Sequence, residues 1–251
     1  MKSAARLVRK VLVSSLLLTV AFAPRLLLAQ TTQPGKAEVR SIKGSATYSL
    51  AGGAFVPLKV GNVLSTGAAI KTGKESTVDL FLGNSAGVVR VSENSTLSLD
   101  KLALTDTGAD TVVDVQLNLP DGMMLFNVNK ISAASRYEIK VPNGVAGIRG
   151  TRGRCMASGA ILLLDGSLIF VHVPPGGNPI PFTLTAPPAV FFDPKDGSVK
   201  PAPNDMIQEA RKEMGKLAGP PPPGSGSAQT PPKTQEQPHE LPVSPNTGNP
   251  Q

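Results

Sequence analysis

Between residues 37 and 200 the chain repeats one local pattern. Short runs of alternating apolar and polar residues are broken by pairs such as Gly52-Gly53, Gly83-Asn84, Asp121-Gly122, Asp165-Gly166 and Asp196-Gly197. Alternation with a period of two places every second side chain on one face of an extended segment, and such pairs close turns or hairpins. The runs 37–41, 46–50, 55–60, 68–71, 77–82, 88–91 and 96–99 read as strands on this basis. So do 111–119, 123–128, 136–141, 160–164, 167–173, 182–184 and 189–192, with a hairpin expected at Asp165-Gly166. This density predicts an all-β domain over residues 36–200, built as a sandwich, a barrel or a rolled, solenoid-like stack. Roughly 160 residues suffice for a single core. With no Trp, eight Phe and two Tyr, that core has to be assembled from Val, Leu, Ile and Ala.

The ends of the chain differ in kind. Lys2, Arg6, Arg9 and Lys10 precede an uncharged apolar run from Val11 to Ala23, the layout of a secretory signal peptide. Pro24 makes cleavage after Ala23 unfavourable, so cleavage is expected after Ala29, giving a signal peptide over residues 1–29. An uncleaved anchor is the weaker alternative, because spanning takes about 20 apolar residues and Pro24-Arg25 interrupt this run. Met206, Ile207, Ala210, Met214 and Leu217 make one apolar stripe at helical spacing, predicting an amphipathic helix over 204–218. Asn204-Asp205 offer a cap and Gln208 suits a capping box. Residues 219–251 are Pro-rich with almost no large apolar side chain, and are expected to stay extended and disordered.

Charge excludes one class of function. The chain carries 25 basic and 18 acidic residues, but residues 1–29 hold five of the basic ones and no acid. After cleavage 20 basic residues face 18 acidic ones, a balance of +2 that leaves no footprint for nucleic acid. Cys155 is the single cysteine, so the fold stands without an intramolecular disulfide, and a buried, inert thiol is expected. Enzymatic chemistry lacks its parts. His172, in an apolar strand, is the one plausible imidazole, and His239 lies in the tail. No His/Cys cluster has metal-ligand spacing. Asp106, Asp110 and Asp114 make a weak all-oxygen Ca²⁺ candidate without the EF-hand order of ligands. No cofactor is expected.

The densest local signal is the segment 141–155, with Gly144, Gly147, Gly150 and Gly153 at every third position and Arg149, Arg152 and Arg154 among them. Phosphate binding would require a helix after the Gly-rich turn, and apolar strand sequence follows instead. Arg152 and Arg154 are candidates to hold an anionic group or a partner carboxylate through bidentate hydrogen bonds. Arg149 reads better as structural, capping loop carbonyls, with Gly147 and Gly150 at tight backbone positions.

In order, Val-Pro-Asn-Gly-Val-Ala-Gly-Ile-Arg-Gly-Thr-Arg from Val141 and Gly-Ala-Ile-Leu-Leu-Leu-Asp-Gly-Ser-Leu-Ile-Phe-Val from Gly159 resemble the core of a FecR-type domain. Upstream, Leu58 to Gly73 and Ser76 to Leu99 are similar to the family's first half, so the resemblance runs from about Val39 to Val173. It marks Gly61, Thr72, Gly147, Arg149, Gly150, Thr151 and Gly166 as motif positions with structural duties. It also implies the periplasm of a Gram-negative bacterium, where such domains relay signals from an outer-membrane transporter to an envelope sigma factor. Residues 1–10 are too few for a cytoplasmic sigma-factor-binding part, and a helix and Pro-rich tail stand where a small transporter-docking domain is expected. The leading expectation is therefore an exported, periplasmic or secreted, non-enzymatic β-domain that binds an unidentified protein or a cell-envelope polymer. No nucleic-acid partner is expected, and no stable membrane span after cleavage. The alternative is an accessory of envelope signalling linked to iron uptake.

Overall fold

The computed structural model describes residues 31–108 and 110–217; the expected signal peptide with its cleavage site, and the Pro-rich segment expected to be disordered, lie outside these residues. Eighteen strands and one helix make up the described part. They are β1 (Thr31–Pro34), β2 (Ala37–Lys43), β3 (Ala46–Leu50), β4 (Val56–Pro57), β5 (Val63–Leu64) and β6 (Ala68–Thr72). Next come β7 (Thr77–Phe81), β8 (Val88–Val91), β9 (Thr96–Asp106), β10 (Thr111–Asp121), β11 (Met123–Asn127) and β12 (Arg136–Val141). Then follow β13 (Gly144–Ile148), β14 (Arg152–Met156), β15 (Ile161–His172), β16 (Ile180–Ala186), β17 (Val190–Asp193), β18 (Ser198–Pro201) and α1 (Asn204–Met214).

Strand pairing traces two open sheets. The first runs β4-β3-β6-β9-β10-β12-β13-β15-β16, with β1 beside β6 along the same side of β9. The second runs β5-β2-β7-β8-β11-β14-β15-β17-β18. In both sheets strand order follows chain order almost throughout. The chain therefore winds from one sheet to the other and back, which is the rolled, solenoid-like form of the predicted all-β fold. The parallel pair β10–β12 shows the winding directly, because β11 leaves for the second sheet between them. One continuous apolar core fills the space between the sheets.

The sequence logic is plainest in β10. Val113, Val115, Leu117 and Leu119 are fully buried, while Asp114, Gln116 and Asn118 point away from the core. β15 departs from the expected hairpin at Asp165-Gly166. It is one strand whose first part pairs with β14 and β17 in the second sheet, and whose last part pairs with β13 and β16 in the first. Its inward positions change parity at the switch, from Ile161 and Leu163 to Leu168 and Phe170. Gly166, at φ +89°, absorbs the change.

α1 lies on the outer face of the second sheet, where Ala210, Met206, Ile207 and Met214 pack against Leu162, Leu164, Ala189 and Phe191. This explains the run Ile161-Leu162-Leu163-Leu164, whose alternate members face the core and the helix. The helix is shorter than expected and is capped differently. Pro203 occupies the N-cap without a side-chain cap bond, although its carbonyl accepts from Ile207 N–H at 3.1 Å.

Candidate functional site

The Gly/Arg segment is two strands joined by a crossing between the sheets. β13 belongs to the first sheet, β14 to the second, and Arg149, Gly150 and Thr151 carry the chain across. Gly150 sits at φ +75°, and a Cβ there would lie 2.8 Å from Lys130 Cα. Thr151 exchanges two backbone hydrogen bonds with Val128, at 2.9 and 3.1 Å, and its buried hydroxyl has no partner. Arg149 donates to the carbonyl of Ala133 at 3.0 Å, bracing the loop before β12. A Cβ on Gly166 would lie 2.2 Å from the Gly150 carbonyl oxygen. The crossing within β15 thus stacks on the crossing between β13 and β14, and the two glycines let the backbones touch.

The outer face of the second sheet carries a charged row. Asp79, Arg90, Leu125, Arg154, Leu162 and Phe191 are successive cross-strand neighbours on β7, β8, β11, β14, β15 and β17. Arg90 grips Asp79 with two hydrogen bonds of 2.6 and 2.7 Å, and Asp79 is 1% exposed. The bidentate carboxylate raises the Arg90 pKa still further, against the effect of burial. Arg90 also donates to the carbonyls of Glu213 at 3.2 Å and Lys216 at 2.7 Å. The Glu213 carbonyl also accepts from Lys216 N–H at 3.1 Å, and both carbonyls lie at or just past the C-terminal end of α1, where a cation complements the helix dipole.

Arg154 lies in the same row, with a side chain 6% exposed and paired to Glu213 at 2.8 Å and Glu209 at 3.3 Å of α1. It sits beneath the helix and does not face solvent. Arg152 is exposed and pairs with Asp165, directly across from it on β15. The Arg152 hydrogen bond and charge hold the Asp165 carboxyl below its usual range, and Arg211 adds a smaller push in the same direction. Beside this pair, the end of α1 encloses a cavity of about 520 Å³ walled by Arg152, Asp165, Leu164, Arg211 and Met214. A recess of about 240 Å³ shares Arg152 and Asp165 and continues along Gly150, Thr151 and Lys130. Three cations, Arg152, Arg211 and Lys130, stand around this cleft against one carboxylate, Asp165.

The other motif positions serve the fold in different ways. The Thr72 hydroxyl is buried, donates to the carbonyls of Ser92 and Ser95, and accepts from Ser95 N–H, which ties β6 to the turn before β9. Gly61 has φ +84° in an open turn. Gly147 differs from expectation: its backbone is ordinary, and an added Cβ would meet Ile169 oxygen at 3.8 Å, so no tight contact requires glycine there. Cys155 is buried in β14, where desolvation pushes its thiol up to about 12. His172 is buried against Phe170 and Phe192, with Nδ1 3.1 Å from the Asn143 carbonyl. The three aspartates are not gathered: Asp114 pairs with Lys101, while Asp106 and Asp110 accept from backbone N–H groups in their own turn. Sequence reasoning missed Asp79, Arg90, Lys130 and Arg211. Asp79 and Arg90 were reachable, because the hairpin around Gly83-Asn84 sets opposite charges in register.

Comparison with known proteins bears on these same elements. Residues 68–168 match the family model described as FecR protein. Over this span the chain is similar to the FecR family. The matched span takes in β6 through the crossing within β15, including both stacked glycines. Among solved structures, a candidate anti-sigma factor from Parabacteroides distasonis is similar at 12% identity and a TM-score of 0.41. The similarity covers 59% of this chain and 64% of that one, so less than two thirds of that protein's length is represented. No curated protein matches the chain.

Proposed function

We propose that this FecR-type chain is an exported, non-enzymatic accessory of envelope signalling, and that it engages a protein partner through the cleft beside Arg152. The observation that carries this reading is the FecR match over residues 68–168, which includes the strands that build the crossing and its cleft. FecR proteins are associated with the cell envelope, and the charged-apolar order of residues 1–29 supports export to the periplasm. The cleft offers guanidinium and ammonium donors around Asp165, which suits a carboxylate-bearing partner surface.

The test is genetic and has two stages. Transcripts of the host bacterium with and without this chain are compared during iron depletion. A restricted set of envelope-signalled genes is expected to change, and to be restored by the wild-type chain but not by Arg152→Ala. An unchanged transcript profile would overturn the signalling reading. Full restoration by the variant would remove Arg152 from the contact surface.

A further inference from the structure

We infer that the segment from the end of β3 through β5, residues 50–64, is a docking surface for an anionic phospholipid bilayer. This segment forms the first edge of both sheets at once, because β4 is the outermost strand of the first sheet and β5 of the second. Solenoid-like stacks normally close such an end with a polar face. Here the end is apolar. Nine large apolar side chains stand exposed among the described residues, and five of them, Leu50, Phe55, Val56, Val60 and Val63, come from this one segment. Their exposures run from 41% to 60%.

Charge decides what kind of surface fits. From Val39 to Lys74 the chain contains no acidic residue; Arg40 and Lys74 pair with the flanking Glu38 and Glu75, while Lys43, Lys59 and Lys71 add positive charge within the span. Lys59 precedes Val60 in the exposed turn, and Lys71 Nζ sits 4.5 Å from the centre of the Phe55 ring. The nearest acid in strand register is Glu38, opposite Val63, and it is already paired with Arg40 at 2.9 Å. Exposed apolar side chains along a sheet edge, with lysines beside them, are the elements of interfacial binding. The apolar groups enter the acyl boundary while the ammonium groups meet lipid phosphates. The inference stands on these residues and is independent of the signalling reading.

The experiment is vesicle flotation of the mature chain, with neutral phosphatidylcholine vesicles and with vesicles containing phosphatidylglycerol. Flotation is expected with the anionic vesicles alone, and should weaken as salt shortens the screening length. Lys59→Ala should lower partitioning about fivefold, as should Lys71→Ala. Phe55→Ser with Val60→Ser should lower it by about tenfold or more through lost apolar insertion. All four side chains are exposed, and an unchanged circular dichroism melt confirms that each variant folds. Equal partitioning on neutral and anionic vesicles, no flotation with either, or unchanged partitioning in the lysine and apolar variants would each overturn the inference.

Discussion

Four glycines of the FecR-type pattern occupy different environments, and replacing each by alanine should separate backbone strain from steric overlap. At Gly147 the dihedrals are ordinary and the added Cβ would make a 3.8 Å contact. Glycine inside a strand costs roughly 0.5–1 kcal/mol relative to alanine, so Gly147→Ala should be neutral or slightly stabilising. At Gly61 the space is open but φ is +84°, so alanine meets left-handed strain alone, on the order of 1–2 kcal/mol. At Gly150 that strain is joined by a Cβ 2.8 Å from Lys130 Cα, and at Gly166 by one 2.2 Å from the Gly150 carbonyl oxygen. Both neighbours are backbone and cannot turn aside, so losses of about 3 kcal/mol or more are expected, among the largest for single substitutions. For a domain of this size 1 kcal/mol shifts the midpoint by roughly 2–4 °C. Melts followed by far-ultraviolet circular dichroism should then rank wild type and Gly147→Ala together, Gly61→Ala about 2–8 °C lower, and Gly150→Ala and Gly166→Ala lowest, by about 6 °C or more. A Gly166→Ala protein melting within about 2 °C of wild type would refute the stacked-crossing account.

Further outcomes follow from the same geometry. Cys155, buried with its thiol pushed up to about 12, should resist alkylation at neutral pH until the protein unfolds; rapid labelling of native protein, read by mass spectrometry, would contradict its placement. Arg154→Ala should loosen α1 at a cost of about 1–2 kcal/mol, well below that of breaking a fully buried pair, because Glu209 and Glu213 can turn to solvent. Faster proteolysis within Asn204–Met214, with the strand content unchanged, is the expected signature. Asp165 has a folded-state pKa below its unfolded one, so the stability from its pairing with Arg152 is present above the unfolded value and lost as pH falls through the folded one. Carboxyl resonances followed from neutral to acid pH should show Asp165 titrating late, and Arg152→Ala should move it upward. Truncation after Ala218 should leave the midpoint unchanged, since residues 219–251 offer almost no large apolar side chain to bury.

The fold class was legible because alternation survives wherever a strand is wet on one side. β3, β8 and β12 carry the boundaries expected from the pattern, and β10 extends its predicted strand by two residues. Legibility failed where the period of two was broken for a tertiary reason. Leu162 and Leu164 are apolar because α1 covers them, so the continuous run concealed which face was the core. The parity change at Gly166 made one strand look like two joined by a turn. β13 and β14 were hidden by their glycines: Gly153 faces Phe126 and Leu162, and a strand that yields its side chains to its neighbours leaves no apolar rhythm to read.

For the candidate site the same limit applies to the arginines. Arg149, Arg152 and Arg154 are equivalent in sequence, and the crossing sends them to three different environments. Arg149 braces a loop carbonyl, Arg152 stands in the open cleft, and Arg154 is covered by a helix that begins fifty residues later, at Asn204. No local spacing encodes that last placement. It depends on Glu209 and Glu213 lying one helical turn apart, on the face that also presents Met206 and Ala210 to the sheet. A buried arginine that meets two carboxylates fixes where the helix sits along the charged row. Arg90 fixes its C-terminal end by holding the carbonyls of Glu213 and Lys216. Helix position in turn sets the cavity, because Arg211 and Met214 form the wall opposite Arg152 and Asp165. Of the two arginines expected to touch a partner, Arg154 places the helix that shapes the cleft, and Arg152 is exposed within it.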